Sequence, residues 1–239
     1  MEGVGYVVLT RDAKKDAPLA RRLERAGVPF RQVPLTEHAP GPDRAGLPRR
    51  LREGWDWVVV TSPTAARFLL AGWDEAGRPP LRLAAVGRGT ARVLEGAGLE
   101  VGFVSERAYG RALAEALPGA GRVLWPTSTL AGSELAETLA ARGFEVRRLD
   151  VYLTRPRVLD AGERALLEGA AVAALGSPSA VRAWVEASGA RPAVAAIGRV
   201  TGEAARAAGF SPVRWPEDPG VEGWARTLEA LWFAQGRPP

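Results

Sequence analysis

Apolar positions follow two rhythms along this chain. Runs such as VVV at 58–60, LAAV at 83–86 and VAAL at 172–175 are wholly apolar. Between them, apolar residues recur every three or four positions, as around Leu19 and Leu23 and from Val221 to Phe233. The first rhythm marks strands buried on both faces, and the second marks helices with one apolar face. Strands are therefore predicted at 4–10, 57–61, 82–86, 101–104, 122–125, 147–154, 171–175, 193–197 and 212–214, with 29–36 extended. Helices are predicted at 17–26, 64–70, 90–97, 108–117, 133–142, 161–168, 180–186, 201–208 and 221–233, with a short one before Trp55. Strands and helices alternating at these lengths imply an α/β class, with doubly wound parallel sheets covered on both faces.

The pattern also repeats. "VVVTSPTAARFL" at 58–69 resembles "VAALGSPSAVRAW" at 172–184, with Ser177 lying 115 residues after Ser62. "LAAVGRGTARVLEGAGLEV" at 83–101 resembles "VAAIGRVTGEAARAAGFSPV" at 194–213. "LERAGVPFRQVPLT" at 23–36 resembles "LAARGFEVRRLDVY" at 139–152. A duplicated unit of about 115 residues fits one small doubly wound domain. Taken linearly, the chain would divide into 1–118 and 119–239.

The repeated stretches share a corner. In "TSPTAARF", Ser62 suits an N-cap and Pro63 the first helical position, and Ser177 and Pro178 repeat this in "GSPSAVRAW". A second matched pair is "VGRGTA" and "IGRVTG", where Gly87 and Gly198 allow tight turns and Thr90 and Thr201 fall near helix starts. That reading gives four hydroxyl-lined helix N-termini, two per copy. In an open α/β sheet these corners lie at the carboxyl ends of strands, where ligands bind. Helix N-termini offer unpaired N–H groups and partial positive charge to anions. Plain capping explains any one corner as well. The established phosphate loops are missing: "GRGTAR" has neither the GxxxxGK[ST] spacing nor a third glycine. A nucleotide-dependent transferase is disfavoured on that ground.

Composition narrows the chemistry further. The chain has 239 residues and no cysteine, which excludes disulfides, thiolate nucleophiles and Cys-based metal sites. Its one histidine, His38, sits in "TEHAPGP", read as a Pro/Gly-rich loop, which makes it a weak candidate for a metal ligand or a triad member. No apolar run is long enough for a membrane span, and the start "MEGVGYVVLTR" lacks a basic segment followed by a long apolar one. A cytoplasmic location is expected. Net charge is +5, from 30 arginines and two lysines against 27 acids. Arginine favours carboxylate and phosphate partners, although a GC-rich or heat-adapted genome also enriches it. Basic residues alternate with acids, as in "RRLERAG", so nucleic-acid binding is not expected. No long apolar edge is visible, and a monomer is expected.

Five stretches taken together carry a resemblance. "VVLTR" near the start, "VTSPTAARFL", "AAVGRGTARVLEGAGLEV", "LDVYLTRP" and "AAIGRVTGEAARAAGF" resemble the uroporphyrinogen-III synthase family across essentially the whole chain. The resemblance implies an enzyme acting on hydroxymethylbilane, a linear tetrapyrrole bearing acetates and propionates. Such an enzyme expels the terminal hydroxyl as water, inverts the last ring through a spiro intermediate and closes the macrocycle, with no metal and no cofactor. It implies two α/β domains joined by a two-stranded β-ladder hinge, with the active-site cleft between them. Transferred here, domain one would be 1–36 plus 155–239, with 37–154 inserted as domain two, and "RQVPLTE" and "DVYLTRP" as the ladder. This replaces the linear division.

The resemblance also implies site residues. The favoured proton donor falls on Tyr152; packing at the hinge is the other reading of that residue. Thr61, Ser62, Gly87, Thr90, Ser177, Ser179, Gly198 and Thr201 are the implied substrate-binding positions. Arg11, after the first strand, is either a cleft arginine or an ordinary surface one. At "WPTSTLAGSEL" many relatives carry an arginine where this chain has Ser133, so backbone N–H groups of Leu130, Ala131 and Gly132 would serve instead. Transient contact with the preceding enzyme of the pathway is a further expectation. The competing reading of the whole chain is a non-catalytic two-domain α/β protein that binds a small polyanion.

Overall fold

The computed structural model describes residues 5–107, 109–218 and 220–236. Val4 and Ala108, which begin a predicted strand and helix, lie outside the described residues, as do the outermost residues of the predicted domains. Along the chain run β1 (Tyr6–Leu9), α1 (Ala13–Arg25), β2 (Phe30–Gln32), β3 (Thr36–Pro40), α2 (Leu47–Leu51) and β4 (Trp57–Val60). Next come α3 (Pro63–Glu75), β5 (Leu83–Val86), α4 (Gly87–Glu95), β6 (Val101–Ser105), α5 (Gly110–Ala116) and β7 (Gly121–Ser128). Then follow α6 (Glu134–Ala141), β8 (Phe144–Pro156), α7 (Ala161–Glu168), β9 (Ala170–Leu175) and α8 (Pro178–Ala187). The series ends with β10 (Ala193–Ala196), α9 (Arg199–Ala207), β11 (Val213–Arg214) and α10 (Val221–Phe233).

The chain forms two compact units: residues up to Glu37 with those from Arg155 onward, and His38–Thr154. The divisions fall inside β3 and inside β8, so two neighbouring strands carry the chain from one unit to the other. Arg157 N donates to Leu35 O at 2.9 Å and Gly41 N to Val151 O at 3.0 Å, so these strands run in opposite directions.

The first unit has a parallel sheet in the order β11-β10-β9-β1-β2. Strand alternation sends Val8, Ala173, Leu175 and Val194 to one face, against Trp184 and Ala205. Val7, Leu9, Val172 and Ala174 go to the other, against Leu19, Leu23, Trp224 and Leu228. The second unit has the order β3-β8-β7-β4-β5-β6, parallel from β8 to β6. Val58, Val60 and Leu124 pack under Leu47 and Leu69, while Trp57, Val59 and Trp125 pack under Leu113 and Leu139.

The two sheets share one plan with exchanged halves. The strands bearing the Ser-Pro corners are β9 and β4. Each has the strand of the second repeat pair (β10 or β5) on one side, and on the other a strand supplied by the opposite copy (β1 or β7). Each unit therefore combines the beginning of one copy with the end of the other, and the sheets place corresponding corners at corresponding positions.

Three local expectations are corrected. The extended stretch 29–36 is not one strand, because Pro34 has no N–H to pair and separates β2 from β3. His38 lies in β3 rather than in a loop. Helix α3 continues through Gly72 to Glu75, because Gly72 gives Leu47 room to pack; a Cβ there would meet Leu47 Cδ2 at 2.5 Å.

Candidate active site

In the second unit the winding of the sheet reverses between β4 and β7, so the loops leaving these strands flank a crevice at their carboxyl ends. The β4 loop delivers the Ser-Pro corner. Ser62 is extended, with φ −155° and ψ 156°, and its hydroxyl oxygen accepts Ala65 N–H at 3.0 Å, capping α3. Thr61 is fixed from β7, whose Trp125 indole donates to Thr61 Oγ1 at 3.4 Å.

Tyr152 reaches this corner from β8. Register slips between Thr127, opposite Asp150, and Ser128, opposite Tyr152. This bulge beside Val151 re-aims the strand, as bulges do near functional groups. Tyr152 is buried, 8% exposed, but its phenol is not an apolar passenger. Its oxygen lies 3.2 Å from Ser62 Oγ. Phe68 of α3 stacks on its ring, with centroids 5.3 Å apart and planes at 14°. His38 meets it edge-on at 5.4 Å, and His38 Nδ1 lies 3.2 Å from Thr154 Oγ1.

The loop after β7 hangs from the same tyrosine, since Thr129 N donates to Tyr152 O at 3.0 Å. Leu130 N donates to Ser128 Oγ at 3.2 Å and Ala131 N to Ser128 O at 3.0 Å. Those two N–H groups are thus spent inside the turn, which corrects the expectation that they await a ligand. Leu130 is 75% exposed, and Gly132 is exposed. Arg148 braces the loop. Its guanidinium donates to Ala131 O at 2.8 Å and Ser128 O at 3.1 Å, pairs with Asp150 at 2.7 Å and lies over the Trp125 ring.

In the first unit the equivalent reversal lies between β1 and β9. Ser177 caps α8 by accepting Ala180 N–H at 3.2 Å, and its second partner is Ser179 Oγ at 2.9 Å. Arg11 packs beside this corner, against Gly176, where a Cβ would meet its Cδ at 2.8 Å. Its guanidinium is already engaged. It donates to Asp16 at 2.6 Å and to Lys15 O at 2.8 Å, and it lies 4.7 Å above the Trp224 ring. Asp16 is fully buried and also accepts Arg11 N–H at 3.0 Å and Gln32 Nε2 at 3.2 Å. Arg11 therefore braces the corner through Asp16, Lys15 and Trp224.

The second pair of corners differs from the expectation of hydroxyl-lined helix ends. Gly87 takes φ +74° and opens α4, whereas Gly198 is extended and caps α9 without a side chain. Thr90 and Thr201 are buried at 2% and 4% exposure and cap neither helix. These ends present backbone, and the exposed residues of their first turns are Arg88 and Gly89, and Arg199 and Val200. Among the described residues no helix is long and apolar enough to cross a membrane, and no cluster of three or more His, Asp or Glu residues could hold a metal ion.

Sequence reading missed Phe68, Trp125, Arg148, Asp16 and Gln32. Phe68 sits six residues after Ser62, where a helix following the corner turns back over it, and that spacing was a usable signal.

The model of the family described as Uroporphyrinogen-III synthase HemD matches residues 17–226. The chain belongs to the uroporphyrinogen-III synthase family. The rice (Oryza sativa subsp. japonica) protein named uroporphyrinogen-III synthase, chloroplastic, is 40% identical over 243 residues, spanning 94% of this chain and 80% of that one. The Helicobacter pylori uroporphyrinogen-III synthetase structure covers 95% of this chain and 99% of that one, with TM-score 0.65 and 18% identity. A mutant Thermus thermophilus uroporphyrinogen III synthase covers 98% and 100%, with TM-score 0.58 and 21% identity. At such identities these two structures speak for the fold alone. Uroporphyrinogen-III synthases are cyclising lyases of haem biosynthesis, and the two-unit α/β architecture of this chain is theirs.

Proposed function

We propose that this chain cyclises hydroxymethylbilane to uroporphyrinogen III, with Tyr152 as proton donor to the departing hydroxyl. Membership of the family supports the reaction. The observation that carries the residue assignment is the Tyr152 phenol, buried and 3.2 Å from Ser62 where α3 begins. A phenol O–H is a hydrogen-bond donor that can pass its proton to an oxygen held against it. The proton moves to the hydroxyl oxygen, the C–O bond breaks with its electron pair leaving as water, and the pyrrole nitrogen takes up the positive charge. Ring closure with inversion of the last ring then releases a proton that restores Tyr152. Substrate carboxylates suit the helix N-termini at Gly87, Ser177 and Gly198, with Ser179 and the exposed Gly132 completing the contacts. Thr61, Thr90 and Thr201 shape these turns, and Arg11 holds the Ser177 corner in place.

The cytoplasmic location, monomeric state and transient transfer from the preceding enzyme belong to the same proposal; light scattering on the purified chain checks the monomer. Tyr152→Phe checks the chemistry. Turnover is expected to fall by about 100-fold, the lower range for general acid catalysis, while product affinity changes little. An unchanged rate would remove the role. A non-catalytic polyanion binder would instead gain as much melting temperature from phosphate or ATP as from uroporphyrinogen.

A further inference from the structure

We propose that Ser62 is a positioning residue for the dehydration step, its hydroxyl donating to the Tyr152 oxygen as that oxygen gives up its proton. This rests on the reading of Tyr152 as proton donor. The Ser62 oxygen accepts Ala65 N–H at 3.0 Å and lies 3.2 Å from the Tyr152 oxygen, where either hydroxyl can donate; once Tyr152 has given up its proton, Ser62 is the one that donates. Before reaction the contact is long for an O–H···O bond. When the tyrosine proton passes to the departing hydroxyl, negative charge remains on the phenolic oxygen. A bond to an ionised oxygen shortens to about 2.5–2.7 Å and strengthens. That charge also develops at the positive end of α3, a 13-residue helix. Phe68 holds the ring face, so the phenolic oxygen meets the serine in one orientation.

The twin corner isolates the contact. Ser177 caps α8 in the same way, yet its second partner is Ser179 at 2.9 Å rather than a phenol. Capping is common to both corners, and the tyrosine contact distinguishes the Ser62 corner. Ser62 therefore serves the reaction through Tyr152, where sequence reading gave it a substrate carboxylate.

A double-mutant cycle on kcat tests this. Ser62→Gly removes the hydroxyl while glycine remains an accepted helix cap, and Ser62→Thr restores the hydroxyl. Ser62→Gly is expected to lower kcat about tenfold, as for loss of one hydrogen bond to a charged group, with KM little changed. Ser62→Thr is expected to recover most of the rate. In a Tyr152→Phe background, Ser62→Gly is expected to cost nothing further. If the losses instead multiply, or Ser62→Gly raises KM with kcat intact, Ser62 acts on the substrate and the inference is overturned. If Tyr152→Phe alone turns over at the full rate, the assignment of the proton donor fails first, and the inference falls with it.

Discussion

Tyr152 shows what a single residue needs before it can act as an acid here. Its ring lies on Phe68 and its oxygen meets Ser62, so orientation comes from α3 rather than from its own strand. Replacing Phe68 by Leu keeps apolar volume but removes the stack, worth about 1 kcal/mol. Phe68→Leu is expected to lose about that much in urea unfolding and to lower kcat with KM nearly constant. Arg11 carries the opposite lesson. An arginine after the first strand is legible in sequence, but its captor is not, because nothing in "RDAKKDA" tells the buried Asp16 from the exposed Asp12. Instead Asp16 is fully buried and held by Arg11 and Gln32. Arg11→Ala leaves that carboxylate buried without its cation, a loss of about 3–5 kcal/mol. Arg11→Ala with Asp16→Ala is expected to recover part of this in the same unfolding measurement. Recovery would show that the arginine braces the fold.

Among elements, strands and helices with a clean apolar rhythm were legible nearly to the residue; α7 and α10 match their predicted ranges, 161–168 and 221–233. Boundaries failed where tertiary packing overruled local signals. Predicted from 147, β8 begins at Phe144, because pairing with β7 holds its polar residues Glu145, Arg147 and Arg148 in the sheet. Helix α3 runs on through Gly72 because Leu47 packs there. The loop at 130–132 was found, but not that Ser128 consumes two of its N–H groups, since sequence shows a turn's residues and not its internal bonds. Packing of α9 makes a further prediction. Gly202 lies against the Trp215 ring, and a Cβ would overlap it. Gly202→Ala is expected to cost about 1–3 kcal/mol through overpacking, read as a lower melting temperature, and the double variant with Trp215→Ala should relieve part of the strain.

At the scale of the whole molecule, the duplicated sequence and the two-sheet architecture tell one story. Copies of about 115 residues are cut inside β3 and inside β8 and exchange their ends. The result is two sheets with the same plan, each with a Ser-Pro corner at its reversal point. The repeats and their order were visible in the pattern of apolar runs. The exchange was not, because pairing of β1 with β9 and of β4 with β7 joins residues far apart in sequence; only the family resemblance pointed to it. The central claim is the reaction, and product isomers test it most directly. Freshly prepared hydroxymethylbilane is incubated with the purified chain, and the oxidised products are separated by chromatography. The account predicts uroporphyrin III as the main product, and a marked shift toward type I with Tyr152→Phe as spontaneous closure overtakes the slowed enzyme. Only the type I isomer from the unaltered chain would contradict it.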